Sequence, residues 1–294
     1  MREEILAVFE ALGPRLGLPS LRGMFPQVAR AELVDLQRRY RRWWRRKHPR
    51  LVHRLTWSSP GAVWAADFSH PPEPIDGVLP RLLAVRDLAS RMGLEAAPAP
   101  NETAGTARVV LEELVRAHGA PLVLKTDNGP AFISGEFKQW ATTHGVLQLY
   151  SPPVLPEYNG SMEAGIGALK ARIRFRNTEG TLTWSADEVE AARCEANTTA
   201  RPWGWRGPTP AERWQRRIPL TATERAECRR TYERMAEEEK RKRQIAPGAI
   251  LSHWQQSSID RVAIRRMLTE KGFLFFRRSR ISPPMGLKNA ARIK

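Results

Sequence analysis

The sequence predicts an α/β protein in which an antiparallel hairpin region precedes parallel crossovers, and three observations carry that expectation. Strand-like runs come in series at 62–69 (AVWAADFS), 78–90 (VLPRLLAVRDLAS) and 91–98 (RMGLEAAP). Helix and strand textures then alternate: an amphipathic stretch at 101–119, a short apolar strand at 120–127 (APLVLKTD), a helix at 134–145, a strand at 146–151 and a helix at 161–176. Two of these helices close on the same stop signal, His118-Gly119 and His144-Gly145. Three strands followed by helix–strand–helix–strand–helix are the pattern of one mixed sheet with flanking helices.

The elements before and after this block have their own logic. Residues 2–12 place Ile5, Leu6, Phe9 and Leu12 on one helical face, and GPRLGLPS ends that helix. LPSLRGMFP reads as a short second helix with Ser20 as its N-cap. A third helix from Ala29 to about Arg46 turns Leu33, Leu36, Tyr40 and Trp43 or Trp44 inward and ends in QRRYRRWWRRKHPR. Three short helices with an Arg-rich, Trp-bearing end suit a helix-turn-helix-like DNA-binding unit, or a solvated basic helix packed on the next domain. Phosphate contact of some kind, through Arg41, Arg42, Arg45 and Arg46, is favoured over the solvated-helix reading. Downstream come a helix at 184–200, a short one in PTPAERW, and a charged helix at 221–244 that connects domains. A small helix, a basic strand and a ragged tail close the chain. The expected division is 1–55 helical and DNA-binding, 56–218 the α/β core, and 219–294 a charged helix with a small basic C-terminal region.

Charge narrows the function classes. The 294 residues carry a net charge of +17, with 48 basic residues of which 9 are lysine and 39 arginine. A chain that basic meets nucleic acid or an anionic surface, and arginine adds a planar fork matched to phosphate. Hydrophobic content of 41% supports a packed core and argues against global disorder. The two cysteines, Cys194 and Cys228, build neither a disulfide framework nor a cysteine-based zinc site. No segment has the length and apolarity of a membrane span, and the N-terminus is not a secretory signal. The expected compartment is the cytoplasm, in association with the nucleoid.

Three carboxylates stand out by position: Asp67 at the end of the first strand, Asp127 at the end of the fourth, and Glu163 at the start of the helix after a Pro-rich loop. Functional groups in open α/β sheets gather at the carboxyl ends of strands. Taken singly, Asp67 is a strand-end acid, Asp127-Asn128-Gly129 is a turn sequence, and Glu163 is a solvated helix residue. Taken together, three acids at one edge require a cation. Hard oxygen donors suit Mg²⁺, with Mn²⁺ as a substitute, and two such ions form the clamp used for displacement at phosphorus.

Thirty-five residues separate Asp127 from Glu163, between KTDNGPAF and YSPPVLPEYNGSMEAGIGALK. This arrangement resembles the catalytic core of the DDE superfamily, which includes retroviral integrases and bacterial insertion-sequence transposases. The resemblance runs from about Gly61 to Trp214 and takes in AVRDLASR and ANTTARPWGWRGPTPAERW. It implies a ribonuclease H-like fold with a five-stranded mixed sheet, and Asp67, Asp127 and Glu163 as catalytic and metal-binding acids. It also implies two Mg²⁺ ions, 3′-end cleavage and strand transfer, double-stranded element-end and target DNA as partners, and a homo-oligomer. Lys170 and Arg174 return to the Glu163 face of their helix after seven and eleven residues. The resemblance gives Lys170 a contact with the element end. Gly165 and Gly167, poor helix formers, serve either close DNA approach or tight packing on the sheet.

Two features depart from the retroviral branch. The N-terminal region has no His-His-Cys-Cys zinc unit, and His48 and His53 read as ordinary residues. The C-terminal region is short for the small β-barrel of that branch. The short N-terminal region leaves room for a companion protein. The competing readings are a catalytically silent DNA-binding derivative and a ribonuclease H-like nuclease that cuts without joining.

Overall fold

The computed structural model describes residues 1–48, 50–152, 160–176 and 183–281, with backbone only at 50–54 and 277–281. The Pro-rich run at 153–159 and the tail at 282–294 lie outside the described residues, as does the side chain of His53. The chain divides into two compact units, Met1–Leu55 with Phe276–Lys294, and Thr56–Phe275.

In the first unit, α1 (Arg2–Leu12), α2 (Leu18–Met24) and α3 (Arg30–Lys47) close on a small core. Ile5, Phe9, Leu21, Leu33, Leu36, Tyr40 and Trp44 fill it. Phe9 stacks on Tyr40 with ring centroids 4.6 Å apart, and the Tyr40 hydroxyl donates to the Phe9 carbonyl at 2.9 Å. Trp44 is the buried member of the tryptophan pair and Trp43 is half-buried. The N-cap of α2 is Gly17 and not Ser20, because Pro19 occupies the first turn, where its fixed φ and missing N–H suit a helix start. A strand that the sequence pattern did not announce, β1 (Arg50–Trp57), pairs with β7 (Leu274–Ile281) in a two-stranded sheet.

The second unit is built on five strands: β2 (Val63–Ser69), β3 (Arg81–Asp87), β4 (Gly93–Ala99), β5 (Val123–Thr126) and β6 (Leu147–Tyr150). Their order is β4-β3-β2-β5-β6. β3 runs antiparallel to β2 and β4, whereas β5 and β6 run parallel to β2. This is the mixed, ribonuclease H-like arrangement expected above.

Alternation along the strands sorts the side chains to two faces. Trp64, Ala66, Leu83, Val85, Leu124 and Tyr150 pack against α4 (Ala104–His118), α5 (Pro130–Ile133) and α6 (Gly135–Thr143). On the other face, α7 (Gly160–Arg176) and α8 (Ala186–Thr199) cover Leu82 and Ala96. A hairpin of α10 (Ala222–Lys242) and α11 (His253–Glu270) covers Val63, Ala65, Val123, Leu147 and Leu149.

Helix starts follow local chemistry. Reciprocal capping boxes open α8 (Ser185/Glu188), α9 (Pro210–Gln215, capped by Thr209/Glu212), α10 (Thr221/Glu224) and α11 (Ser252/Gln255). The positive φ of Gly119, at 80°, ends α4. The placement of α10 and α11 differs from a separate C-terminal region beginning at 219. Cys228, Thr231, Met235 and Ala236 form a narrow buried stripe on α10, and Ile259, Ala263, Met267 and Leu268 complete it from α11. Residues 219–275 therefore share the core of the second unit.

Candidate active site

Ala65 of β2 stands in register with Lys125 of β5, and Asp67 stands opposite Ala84 of β3. Val63, Ala65 and Asp67 thus share the face covered by α7, α10 and α11, and Val123 and Lys125 share it on β5. Asp127 follows in the same alternation, one residue beyond the strand. Ala65 and Ala84 are small, which lets α7 settle on β2 and β3 with Met162 buried beneath it. Glu163 follows in the first turn of α7, on the exposed side.

Asp127 is held by the backbone it precedes. Its Oδ1 accepts from the Gly129 N–H at 2.9 Å, and Asn128 Nδ2 donates to the Ser151 carbonyl at 2.7 Å, tying the turn to the end of β6. Gly129 has a φ of −62° and caps α5, so the chain passes from strand into helix rather than folding back as a hairpin.

Asp67 feels the charges of the other two acids. Burial first, then the Asp127 and Glu163 carboxylates, push the Asp67 carboxyl up to about 7, against the pull of Lys125 and of the Phe68 N–H. Lys125 is buried, and burial lowers its ammonium to about 8 against the pull of Asp67 and Glu163. Among the described residues, no group of three or more His, Cys, Asp or Glu is drawn close enough to hold a metal ion. The donor set nevertheless suits a hard divalent cation in type and charge. It consists of carboxylates whose mutual repulsion a cation would relieve.

Residues 58–156 match the family model described as integrase core domain. This stretch is similar to an integrase core domain. An uncharacterized protein of Caenorhabditis elegans is 30% identical over 136 residues, covering 46% of this chain and 10% of that protein. The Gag-Pol polyprotein of feline leukemia virus is 37% identical over 127 residues, covering 42% of this chain and 7% of that protein. The chain thus spans a tenth or less of the length of these curated relatives. Among solved structures, the HTLV-2 integrase catalytic core domain in complex with magnesium is 21% identical, with a TM-score of 0.43, covering 54% of this chain and 98% of that one. Asp67 and Asp127 fall inside the matched stretch of the integrase core, and Glu163 follows shortly after its end.

The basic residues singled out in the sequence take different places. On α7, Lys170 is half-buried and its Nζ donates to the His70 carbonyl at 2.7 Å. Burial and the nearby Arg174 lower its proton affinity, and Arg174 itself is exposed. Arg172 and Arg176 reach Glu195 of α8, the latter at 2.6 Å. In the first unit, Arg42, Arg45 and Arg46 are exposed on α3, whereas Arg41 donates to the carbonyls of Pro14 and Leu16. Arg41 is therefore committed to holding the loop between α1 and α2. Two residues at the site escaped the sequence reading, Lys125 and Arg86. Only a strand alternation carried through the Asp67 and Asp127 register would have drawn attention to them.

Proposed function

We propose that the chain is a DDE-type DNA transposase or integrase that performs 3′-end cleavage and strand transfer on double-stranded DNA. The observation that carries this reading is the placement of Asp67 and Asp127 toward the carboxyl ends of adjacent parallel strands, on the face over which α7 begins with Glu163. After burial, the other two acids raise the Asp67 carboxyl, in a protein of net charge +17 whose residues 58–156 match an integrase core domain. Asp67, Asp127 and Glu163 would hold Mg²⁺, which when bound activates the attacking oxygen and stabilises the leaving one.

The chain's own groups set the rest of the chemistry. In cleavage, a water oxygen forms a new bond to phosphorus as the 3′-oxygen of the element end leaves and takes up a proton. In joining, that 3′-hydroxyl oxygen loses its proton and bonds to a target phosphorus, and the target's own 3′-oxygen departs. No bond between protein and DNA forms. Exposed Arg174, Arg42, Arg45 and Arg46 carry positive charge suited to phosphate contact, which positions DNA without reading its sequence. A homo-oligomer that holds two ends at once, with or without a companion protein, fits the same reading.

The test uses labelled linear DNA ending in whatever inverted repeats sequencing of the gene's flanks reveals, with Mg²⁺ and a target plasmid. Label joined to the target is expected, with a loss on the order of a hundredfold or more in Asp127→Asn. Absent wild-type products, or undiminished products from the variant, overturn the catalytic reading in favour of a DNA-binding derivative. Cleavage without joining would identify a ribonuclease H-like nuclease.

A further inference from the structure

Arg86 lies on β3 in register with Ala65, one alternation step from the Ala84–Asp67 pair, so it points to the α7 face of the sheet. The pairing of β3 with β4 shifts register between Val85 and Arg86, the kind of irregularity that re-aims a side chain. The guanidinium makes two backbone contacts that join separate elements. Nη1 donates to the Ser161 carbonyl of α7 at 3.0 Å, and Nε donates to the Arg91 carbonyl of the β3–β4 turn at 3.1 Å. Arg91 adopts a left-handed backbone with φ 61°, so the second contact braces a costly conformation.

The helix is notched where the guanidinium passes. A Cβ on residue 165 would overlap Nη1 and lie 3.1 Å from Cζ, whereas one on Gly167 would meet nothing within 4 Å. Of the two helix-weakening glycines, then, Gly165 is the one at which a side chain would displace Arg86. Glu163 sits between the two points of attachment, two residues after Ser161 and two before Gly165.

We propose that Arg86 is a positioning residue that seats the start of α7 through the Ser161 carbonyl and the Gly165 notch, and so aims the Glu163 carboxylate at the other two acids. This rests on the reading of Glu163 as a member of the catalytic site. The charges that act on Asp67 come from Asp127, Glu163 and Lys125, so the contribution of Arg86 is one of placement.

The test compares Arg86→Met, Arg86→Lys, Gly165→Ala and the double variant Arg86→Met/Gly165→Ala in the full chain. Amide hydrogen exchange over 164–168, the amides that close the first turns of α7, is expected to quicken on the order of tenfold in Arg86→Met and Gly165→Ala, with the rest of the sheet unchanged. The Mg²⁺ concentration for half-maximal joining should rise while metal-free DNA affinity stays at the wild-type value. The double variant should be no worse than Arg86→Met, because the added methyl then fills an emptied notch. Arg86→Lys should recover part of the function, and it keeps the test available if Arg86→Met does not fold. Wild-type exchange over 164–168 in Arg86→Met, or strictly additive effects of the two substitutions, would overturn the proposal. Glu163→Gln separates the premise: if it still joins DNA, the catalytic reading fails, while the exchange data judge the Arg86 contact independently.

Discussion

The Asp127 carboxylate and the Gly129 backbone are in direct contact. The Gly129 N–H donates to Oδ1 at 2.9 Å, and a Cβ at residue 129 would stand 3.0 Å from that oxygen and 3.3 Å from Oδ2. With φ at −62°, glycine makes room here for a carboxylate and not for a left-handed turn. Gly129→Ala should keep the backbone and displace the acid. Its melting temperature should match or slightly exceed the wild type, since alanine at a compatible φ stabilises by about 0.4–1 kcal/mol. Its joining rate should fall on the order of tenfold or more, as small displacements of reacting groups do elsewhere. Scanning calorimetry beside the joining assay checks both; a lower melting point with an unchanged rate would contradict the assignment.

Asp67 yields a pH prediction. Its carboxyl is pushed up to about 7, so between about pH 4 and pH 7 the native state keeps a proton that the unfolded chain has released. Stability of the metal-free protein should therefore fall as pH rises through that window. Asp67→Asn removes the titrating group and should flatten the dependence. Urea unfolding in EDTA at several pH values measures it, and an unchanged slope in the variant would argue against the shift.

Salt dependence should separate the arginines. If Arg174 and Arg42 each contact a phosphate, Arg174→Ala and Arg42→Ala each lower the slope of log affinity against log salt by about 0.9. Arg41→Ala should instead cost about 1 kcal/mol of stability in the N-terminal helices, because its guanidinium serves the Pro14 and Leu16 carbonyls. Titrations at several salt concentrations, paired with thermal melts, distinguish the two behaviours.

The α10–α11 hairpin should prove inseparable from the sheet. Met267 and Ile259 are fully buried in the same core as Val63, Ala65 and Leu149. Met267→Ala should destabilise the whole second unit by about 2–5 kcal/mol. A chain ending at residue 218 should expose that face of β5 and β6 and bind a hydrophobic dye. A truncated chain that melts cooperatively near the wild-type temperature would refute this.

The sequence by itself determined the strand order's ingredients, the helix starts and the identity of the acids. Period-two and period-3.6 patterns are local, capping boxes span four residues, and the Asp127–Glu163 interval is a fixed count along the chain. Local chemistry misled at Ser20, where a nearby proline set the helix start, and at Asn128-Gly129, where a turn signature served a carboxylate. Tertiary structure alone decided the rest. The pairing of β1 with β7 joins opposite ends of the chain, and the apolar stripe of α10 is too narrow to stand out among its charges. The burial of Lys125 beside Asp67, and the passage of Arg86 through the Gly165 notch, arise from side chains far apart in sequence that share one face of a sheet. Such contacts leave no periodic trace, because what defines them is the stacking of one element on another.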